Sequence, residues 1–473
     1  MTYYFETYGC QMNFAESSAV EQLFLARGWT KADSAQTADC AIINTCSVRA
    51  TAENRIFGRL GWFQGLKSLR SCEPGAKSKS LEDAARLVKG CPKPITVIVM
   101  GCMAERLLHS LKQDYPVIDY VVGTFAKSQF GRIISEIEER DLPTDLDNSA
   151  KYKFAPLSYE PGAFTAFVPI MHGCDHFCTF CIVPYVRGRE VSRPVEEIIK
   201  EIDVLSSYKV KEITLLGQTV NAYRHEGCDF ASLLQRIADH LKQTSSSIEW
   251  VRFVSSHPKN LSPEILDVIA ANPVLCRHIH LAVQHGSSRI LQKMNRGHTR
   301  EEYLELVSLM RKKLPDVSLT TDIMIGFPGE AEEDFEATLS LMREVRYEAA
   351  FMYYFNPREG TPAAMFPDQI PLKVKKERLQ KVIDLQLEIT RKEMELRVGK
   401  TVKVLVESVS RDDKNELLGK TEQDERIAFA ARQSLIGKFA QVHIDGLSGN
   451  TFRGTLLSGG GCAKCSTIES STT

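Results

Sequence analysis

The chain has 473 residues, 43% hydrophobic and 25% charged, with a formal net charge of −1. That length exceeds one compact core and predicts two to four domains, and the balanced charge means that any nucleic-acid partner is gripped by local basic patches. The start Met1-Thr-Tyr-Tyr-Phe-Glu6 lacks the basic stretch and apolar run of a signal peptide, and no apolar run nears a membrane span, so a cytoplasmic chain is expected, its 13 cysteines reduced and available for metal chemistry.

Up to about residue 145 the pattern alternates. Tyr3–Thr7, Ala41–Asn44, Thr96–Met100 and Val117–Val122 read as short buried strands, and Ser17–Arg27, Ala50–Gly61 and Ala104–Gln113 as helices. Such alternation predicts an open parallel sheet with helices on its faces. Cys10, Cys46 and Cys102 each follow the carboxyl end of one of the first three strands. Those ends share one edge of a parallel sheet, where ligand sites form. The three thiols are thus candidates to converge on an iron–sulfur cluster with one open iron; the alternative is that each is a small buried hydrophobe. Cys40, Cys228 and Cys276 read as packing residues, and Ser71–Gly90, bracketed by Cys72 and Cys91, as a surface insertion.

From about Gly162 to Gly360 the chain repeats strand and helix: Phe164–Ile170, Pro194–Tyr208, Ile213–Leu216, Trp250–Val254, His278–Val283, Glu301–Lys312, Ser318–Ile325 and Glu348–Phe355. The Glu301 helix opens with the capping box Thr299-x-x-Glu302. About six β/α units fit, too few for a closed eightfold barrel, so a partial (β/α)6 TIM-like barrel is expected. The loop leaving the first of these strands carries Cys174-x₃-Cys178-x₂-Cys181, with no fourth cysteine nearby. A closed zinc site or a ferredoxin run supplies four ligands. Three thiolates on one loop therefore suggest a 4Fe–4S cluster with one iron open to a non-protein ligand, chance or zinc-bound cysteines being the bland alternative. Polar or glycine-rich strand ends at Gly217–Asn221, Ser255–Pro258, Gln284–Ser287 and Gly326–Gly329 would rim one mouth suited to a cofactor with a ribose, an amino acid and a base.

Pro371–Val398 reads as a long amphipathic connector helix. Thr401–Leu457 carries alternating strands such as Val402–Val406 and Gln441–Asp445, a small β-barrel appendage. Arg397 to Arg453 holds ten Lys/Arg against eight Asp/Glu, only a slight basic excess. The small, polar tail 459–473 is expected to be disordered, and its Cys462-x-x-Cys465 reads as incidental.

With these pieces in hand the chain resembles the radical S-adenosylmethionine (SAM) methylthiotransferase family over nearly its full length. The matching residues are Tyr8-Gly-Cys10-Gln-Met-Asn13, Asn44-Thr-Cys46-Ser-Val-Arg49, Gly101-Cys102-Met-Ala104, Gly173-Cys174 through Cys181 to Glu190, Ser256-His-Pro258, and Leu291–Tyr303. The resemblance implies an N-terminal cluster domain (1–145), a partial-barrel radical SAM core (160–392) and a TRAM-like RNA-gripping barrel (395–458). It implies two 4Fe–4S clusters, one on Cys174, Cys178 and Cys181, the other, auxiliary, on Cys10, Cys46 and Cys102. SAM is expected against Phe180, Gly217, Gln218, Ser255, Gln284 and Gly326, as radical source and methyl donor, with the auxiliary cluster as sulfur donor. The run Tyr8–Asn13 points to C2 of an N6-isopentenylated adenosine beside the tRNA anticodon; the runner-up is a threonylcarbamoyl-type adenosine, and a non-catalytic iron–sulfur carrier or a zinc-holding RNA-binding protein are rivals from other classes. Implied partners are the tRNA anticodon stem-loop, an electron donor such as a flavodoxin or ferredoxin, and a sulfur or cluster carrier; a monomer is expected. Departures from the family pattern are His285 in Val283-Gln-His-Gly-Ser, Thr219 in Gly217-Gln-Thr, and the Ser71–Gly90 insertion. His285 places a titratable group near the expected SAM mouth and is assigned no role.

Overall fold

The computed structural model describes residues 1–47, 50–70, 94–141, 143–147, 151–411 and 413–457. The chain divides into two compact units. The first comprises 1–261, 292–297 and 356–367; the second comprises 262–291, 298–355 and 368–473. Cys72, Cys91, Cys462 and Cys465, and with them the Ser71–Gly90 insertion and the tail, lie outside the described residues.

The first unit opens with a five-stranded sheet, every pairing parallel, in the order Thr30–Lys31, Thr2–Thr7, Cys40–Thr45, Thr96–Gly101, Tyr120–Val122. Side chains alternate across the strands, so Ala41, Ile43, Val97 and Val99 pack on one face with Ile56, Leu60 and Phe63 of the helix Ala50–Arg70. Cys40, Ile42, Ile98 and Met100 pack on the other with Val20 and Phe24 of the helix Gln11–Ala26 and Phe130, Ile133 and Ile134 of the helix Phe130–Glu139. The strand order reverses between Thr2–Thr7 and Cys40–Thr45, the kind of switch point where open α/β sheets bind ligands.

Several expected boundaries need correction. The first helix begins at Gln11, not Ser17, because Cys10 takes the extended N-cap conformation. The second runs on to Arg70 instead of ending at Gly61. Ala104–Gln113 is two short helices, Cys102–Arg106 and Leu111–Asp114, and only Tyr120–Val122 of the fourth strand is paired.

A second parallel sheet in this unit has the order Trp250–Phe253, Glu212–Leu216, Thr165–Pro169. The second unit holds a parallel sheet of His278–His280, Ser318–Ile325 and Ala349–Tyr354. The first of these is shorter than expected, continuing only as an isolated bridge from Gln284 to Ile323. The capping box of Thr299 and Glu302 is present at the start of the helix Arg300–Lys313. The connector helix runs Leu372–Glu395. After it, Thr401–Val409, Glu416–Thr421, Arg426–Ala430, Phe439–Ser448 and Thr451–Leu456 close into a barrel. Val404, Val406, Leu417, Ile427, Phe429, Val442, Ile444 and Phe452 fill it, and closure leaves no free sheet edge.

Candidate functional site: two cysteine sets in one unit

Cys10, Cys46 and Cys102 follow three adjacent strands of the first sheet. Cys46 and Cys102 are buried and Cys10 is exposed. A polar network fastens the three strand ends. Asn13 donates its side-chain amide to Asn44 Oδ1 and to the Thr45 carbonyl, both at 2.9 Å. Asn44 donates back to the Asn13 carbonyl at 2.8 Å, Thr45 Oγ1 donates to the Met100 carbonyl at 2.6 Å, and the Cys10 thiol reaches Asn13 Oδ1 at 3.3 Å. Only glycine suits position 101: its φ is +98°, and a Cβ there would sit 2.4 Å from Asn44 Oδ1. The thiols feel one another. Burial pushes the Cys102 thiol up to about 11; Arg187 opposes that shift, and Cys46 and Cys10 add to it.

The Cys174 loop is fastened as tightly. Gly173 donates to Gln218 Oε1 at 2.6 Å, Cys174 N donates to the Gly188 carbonyl at 3.1 Å, and the Cys174 sulfur lies 3.4 Å from Thr219 Oγ1. Thr179 N donates to the Met294 carbonyl at 3.0 Å, and the Asn295 amide donates to the His176 and Phe177 carbonyls at 3.0 and 3.1 Å. Burial pushes the Cys181 thiol up to about 12, Cys178 and Cys174 adding to the rise, and burial likewise raises Cys174. Thiols held neutral in this way release their protons when they ligate a metal. Arg296, itself buried, donates Nη1 to Cys178 Sγ at 3.3 Å. His176 stacks on His257 at 3.8 Å, and burial together with Arg296 holds His176 below its ordinary pKa.

Among the described residues no group of three or more His, Cys, Asp or Glu side chains is arranged to hold a single metal ion. A 4Fe–4S cluster asks for something wider, because each thiolate meets a different iron.

The two sets belong to the same unit, and a buried ion pair ties their segments together. Arg187 ends the short helix Val183–Arg187 that follows Cys181. It donates Nη1 and Nη2 to the two carboxylate oxygens of Glu16, at 2.7 and 3.3 Å. Glu16 lies on the helix that follows Cys10 and also pairs with Lys127. Burial works against ionisation of Glu16, but Arg187 and Lys127 overcome it and hold the carboxyl at about 2. Ile182 and Val186 of the same segment pack on Cys102. His172, 3.3 Å from Arg187, is kept far below its ordinary pKa by burial and by these two cations. In the sequence Arg187 carries no mark of this role beyond lying three residues after the apolar run Ile182-Val-Pro184.

Of the residues expected to meet SAM, Phe180, Gly217, Gln218 and Ser255 belong to the first unit with the Cys174 loop. Ser255 takes a φ of +66°, and the next hydroxyl, Ser256 Oγ, is buried without a hydrogen-bond partner among the described residues. Gln284 and Gly326 belong to the second unit. The Gln284 amide accepts from Tyr353 OH at 2.6 Å and donates to Asp322 at 3.4 Å, while Gly326, at φ +67°, is packed by the stem of Lys375. His285 is wholly buried among Glu330, Ser287 and Thr338, with Nε2 3.2 Å from Glu330, so its imidazole is part of the packing of the second unit.

Comparison with known proteins assigns residues 2–123 to the uncharacterized protein family UPF0004, 168–342 to the radical SAM superfamily and 395–457 to the TRAM domain. The chain is 50% identical to the tRNA-2-methylthio-N(6)-dimethylallyladenosine synthase of Treponema pallidum, covering 97% of this chain and 99% of that one. It is equally similar to the enzyme of that name from Treponema denticola, at 96% and 100% coverage, and 40% identical to the one from Clostridium botulinum, with 95% of both chains covered. Among solved structures, the radical SAM methyltransferase TsrM of Kitasatospora setae matches 77% of this chain and 77% of its own, with a TM-score of 0.55 at 13% identity. That likeness shows the radical SAM fold.

Proposed function

The chain belongs to the family of tRNA-2-methylthio-N(6)-dimethylallyladenosine synthases, and from that premise we propose that it installs a methylthio group at C2 of an N6-isopentenylated adenosine beside the anticodon of tRNA. It is a transferase of the radical SAM superfamily, with the 4Fe–4S cluster and SAM that this membership implies. We assign that cluster to Cys174, Cys178 and Cys181, and a second, sulfur-donating cluster to Cys10, Cys46 and Cys102. The observation that carries the reading is the presence in one compact unit of two three-thiol sets, neither with a fourth cysteine ligand among the described residues.

An aromatic C–H is neither acidic nor hydridic, so the cofactors supply the radical and sulfur chemistry. The chain's own residues hold, orient and charge the site. Asn13, Asn44 and Thr45 fasten the three strand ends that precede Cys10, Cys46 and Cys102. Arg187, Lys127 and Arg296 put positive charge beside two sets of thiolates. The orphan hydroxyl of Ser256, with Gly217, Gln218 and Ser255 around the strand ends, fits the polar groups of SAM. The barrel of Thr401–Leu456 grips the tRNA backbone, whose phosphates carry affinity, while the loop base, unstacked at modest cost, carries specificity. Work on tRNA places the enzyme in the cytoplasm, with a flavodoxin- or ferredoxin-type reductant and a carrier that restores the spent sulfur.

Mass spectrometry of tRNA nucleosides from cells lacking the protein tests this reading. Loss of the 2-methylthio group with the isopentenyl group retained is expected. An unchanged nucleoside profile, or loss confined to a threonylcarbamoyl form, overturns it.

A further inference from the structure

Among the described residues five aromatic side chains are exposed: Phe14, Phe177, Tyr185, Tyr208 and Phe351. Tyr208 is stacked on Tyr159 and Phe351 lies against His280. The other three fall within four residues of a cluster cysteine: Phe14 beyond Cys10, Phe177 between Cys174 and Cys178, and Tyr185 beyond Cys181. Phe177 is the most informative. A bulky residue at positive φ is an outlier, and Phe177 takes φ +49°. The residue stays 36% exposed, so core burial is not what selects this conformation. The conformation is enforced from behind by the Asn295 amide, which holds the His176 and Phe177 carbonyls. Tyr185 meets the ring edge-on, its centroid 6.2 Å away, and is itself 52% exposed while its helix neighbours Val186 and Arg187 are buried. Arg189 lies over the Phe177 ring at 5.3 Å, anchored by an ion pair to Asp175 at 2.9 Å.

An aromatic face held into solvent with a guanidinium over it matches how proteins receive an unpaired base: stacking from the ring, charge for the backbone. We infer that Phe177, Tyr185 and Arg189 form a stacking platform for an unstacked base of the tRNA anticodon loop. The inference rests on the tRNA reading above and adds the residues that receive the loop.

The test is fluorescence anisotropy at fixed salt, with cluster-loaded full-length enzyme and a labelled, isopentenylated anticodon stem-loop, alongside stem-loops made abasic one position at a time. Wild-type enzyme that ignores the stem-loop defeats the tRNA reading itself, separately from the platform. Given wild-type binding, Phe177→Leu weakens affinity about ten- to hundredfold, the range of one lost base stack, and Phe177→Trp restores it to within about threefold. On the stem-loop lacking the stacked base, wild type and Phe177→Leu bind alike. Equal weakening of Phe177→Leu on every abasic stem-loop, or no weakening at all, overturns the platform. Where Phe177→Leu fails to load iron, Tyr185→Leu and Arg189→Gln take its place under the same two criteria.

Discussion

Replacing Arg187 by methionine probes the joint between the two cysteine segments. Both partners are buried, with side-chain exposure of 3% for Arg187 and 5% for Glu16. Holding Glu16 at about 2 instead of its ordinary 4.5 corresponds to about 3 kcal/mol at about 1.4 kcal/mol per unit. Stranding one member of a buried pair costs about 3–5 kcal/mol, and Lys127 remains to offset part of that. The two routes agree on about 3 kcal/mol, or a fall of about 6–12 °C in the melting of a unit this size. The pH dependence fixes the sign. Glu16 titrates lower in the folded state than in the unfolded, so its contribution is present above pH 4.5 and is lost as pH falls toward 2. In Arg187→Met the buried carboxylate lacks its main counter-charge and titrates higher, so the deficit against wild type shrinks as pH is lowered from 8 to 5. Near-UV circular dichroism melts at both pH values, with iron content measured on the same samples, read this directly. A variant melting within about 2 °C of wild type, or a deficit identical at both pH values, refutes the reasoning.

Three further outcomes follow from other parts of the molecule. Asn13→Ala strands the Asn44 amide oxygen and the Thr45 carbonyl as buried acceptors, at about 1–3 kcal/mol each; iron analysis should show loss at the Cys10 set with the Cys174 set still loaded, and full retention of both counts against the network. Burial, with Glu348 adding and Arg397 opposing, pushes Glu425 up to about 7. A raised carboxyl contributes stability below its unfolded value that is lost as pH rises through 7, so denaturant unfolding of the C-terminal barrel should weaken by about 2.5 kcal/mol between pH 5 and 8, and Glu425→Gln should flatten that slope. Removing residues 399–473 should lower stem-loop affinity at fixed salt, because phosphate contacts dominate it, while SAM cleavage without tRNA persists; unchanged affinity removes the gripping role from the barrel.

Much of this was legible in the chain itself, for physical reasons that can be named. Strands such as Cys40–Thr45 and Thr96–Gly101 are buried in all but one residue and carry the apolar runs Cys40–Ile43 and Val97–Met100, so their ends, and the cysteines just beyond, were placed from the pattern alone. The capping box at Thr299 is local chemistry and was equally visible. The start of the first helix was missed because its buried face at Asn13, Glu16 and Ser17 is polar: those side chains meet partners on other segments, and an apolar period does not mark them. The neighbouring placement of the three cysteine-bearing strands is a tertiary fact. Arg187 was invisible for the same reason, its carboxylate partner lying 171 residues away.

That distance bears on why an ion pair is buried there at all. Ile182 and Val186 already press on Cys102, and apolar contact is favourable but indifferent to small slips in register. A two-pronged arginine–carboxylate pair is directional, and its desolvation makes it a poor source of net stability. The segment after Cys181 therefore gains orientation from Arg187 more than it gains free energy. Thr124 adds a second directional tie, its hydroxyl donating to the Val186 carbonyl at 2.8 Å and its backbone to Glu105 at 2.7 Å. On the proposed two-cluster reading both clusters serve one base and need fixed relative positions, and positional error of about 1 Å is expensive in such chemistry. A double replacement of Glu16 and Arg187 by apolar residues separates the roles. If the pair exists for orientation, the double variant melts near wild type and loads both clusters, yet transfers sulfur poorly; if it exists for stability, melting and loading fall together.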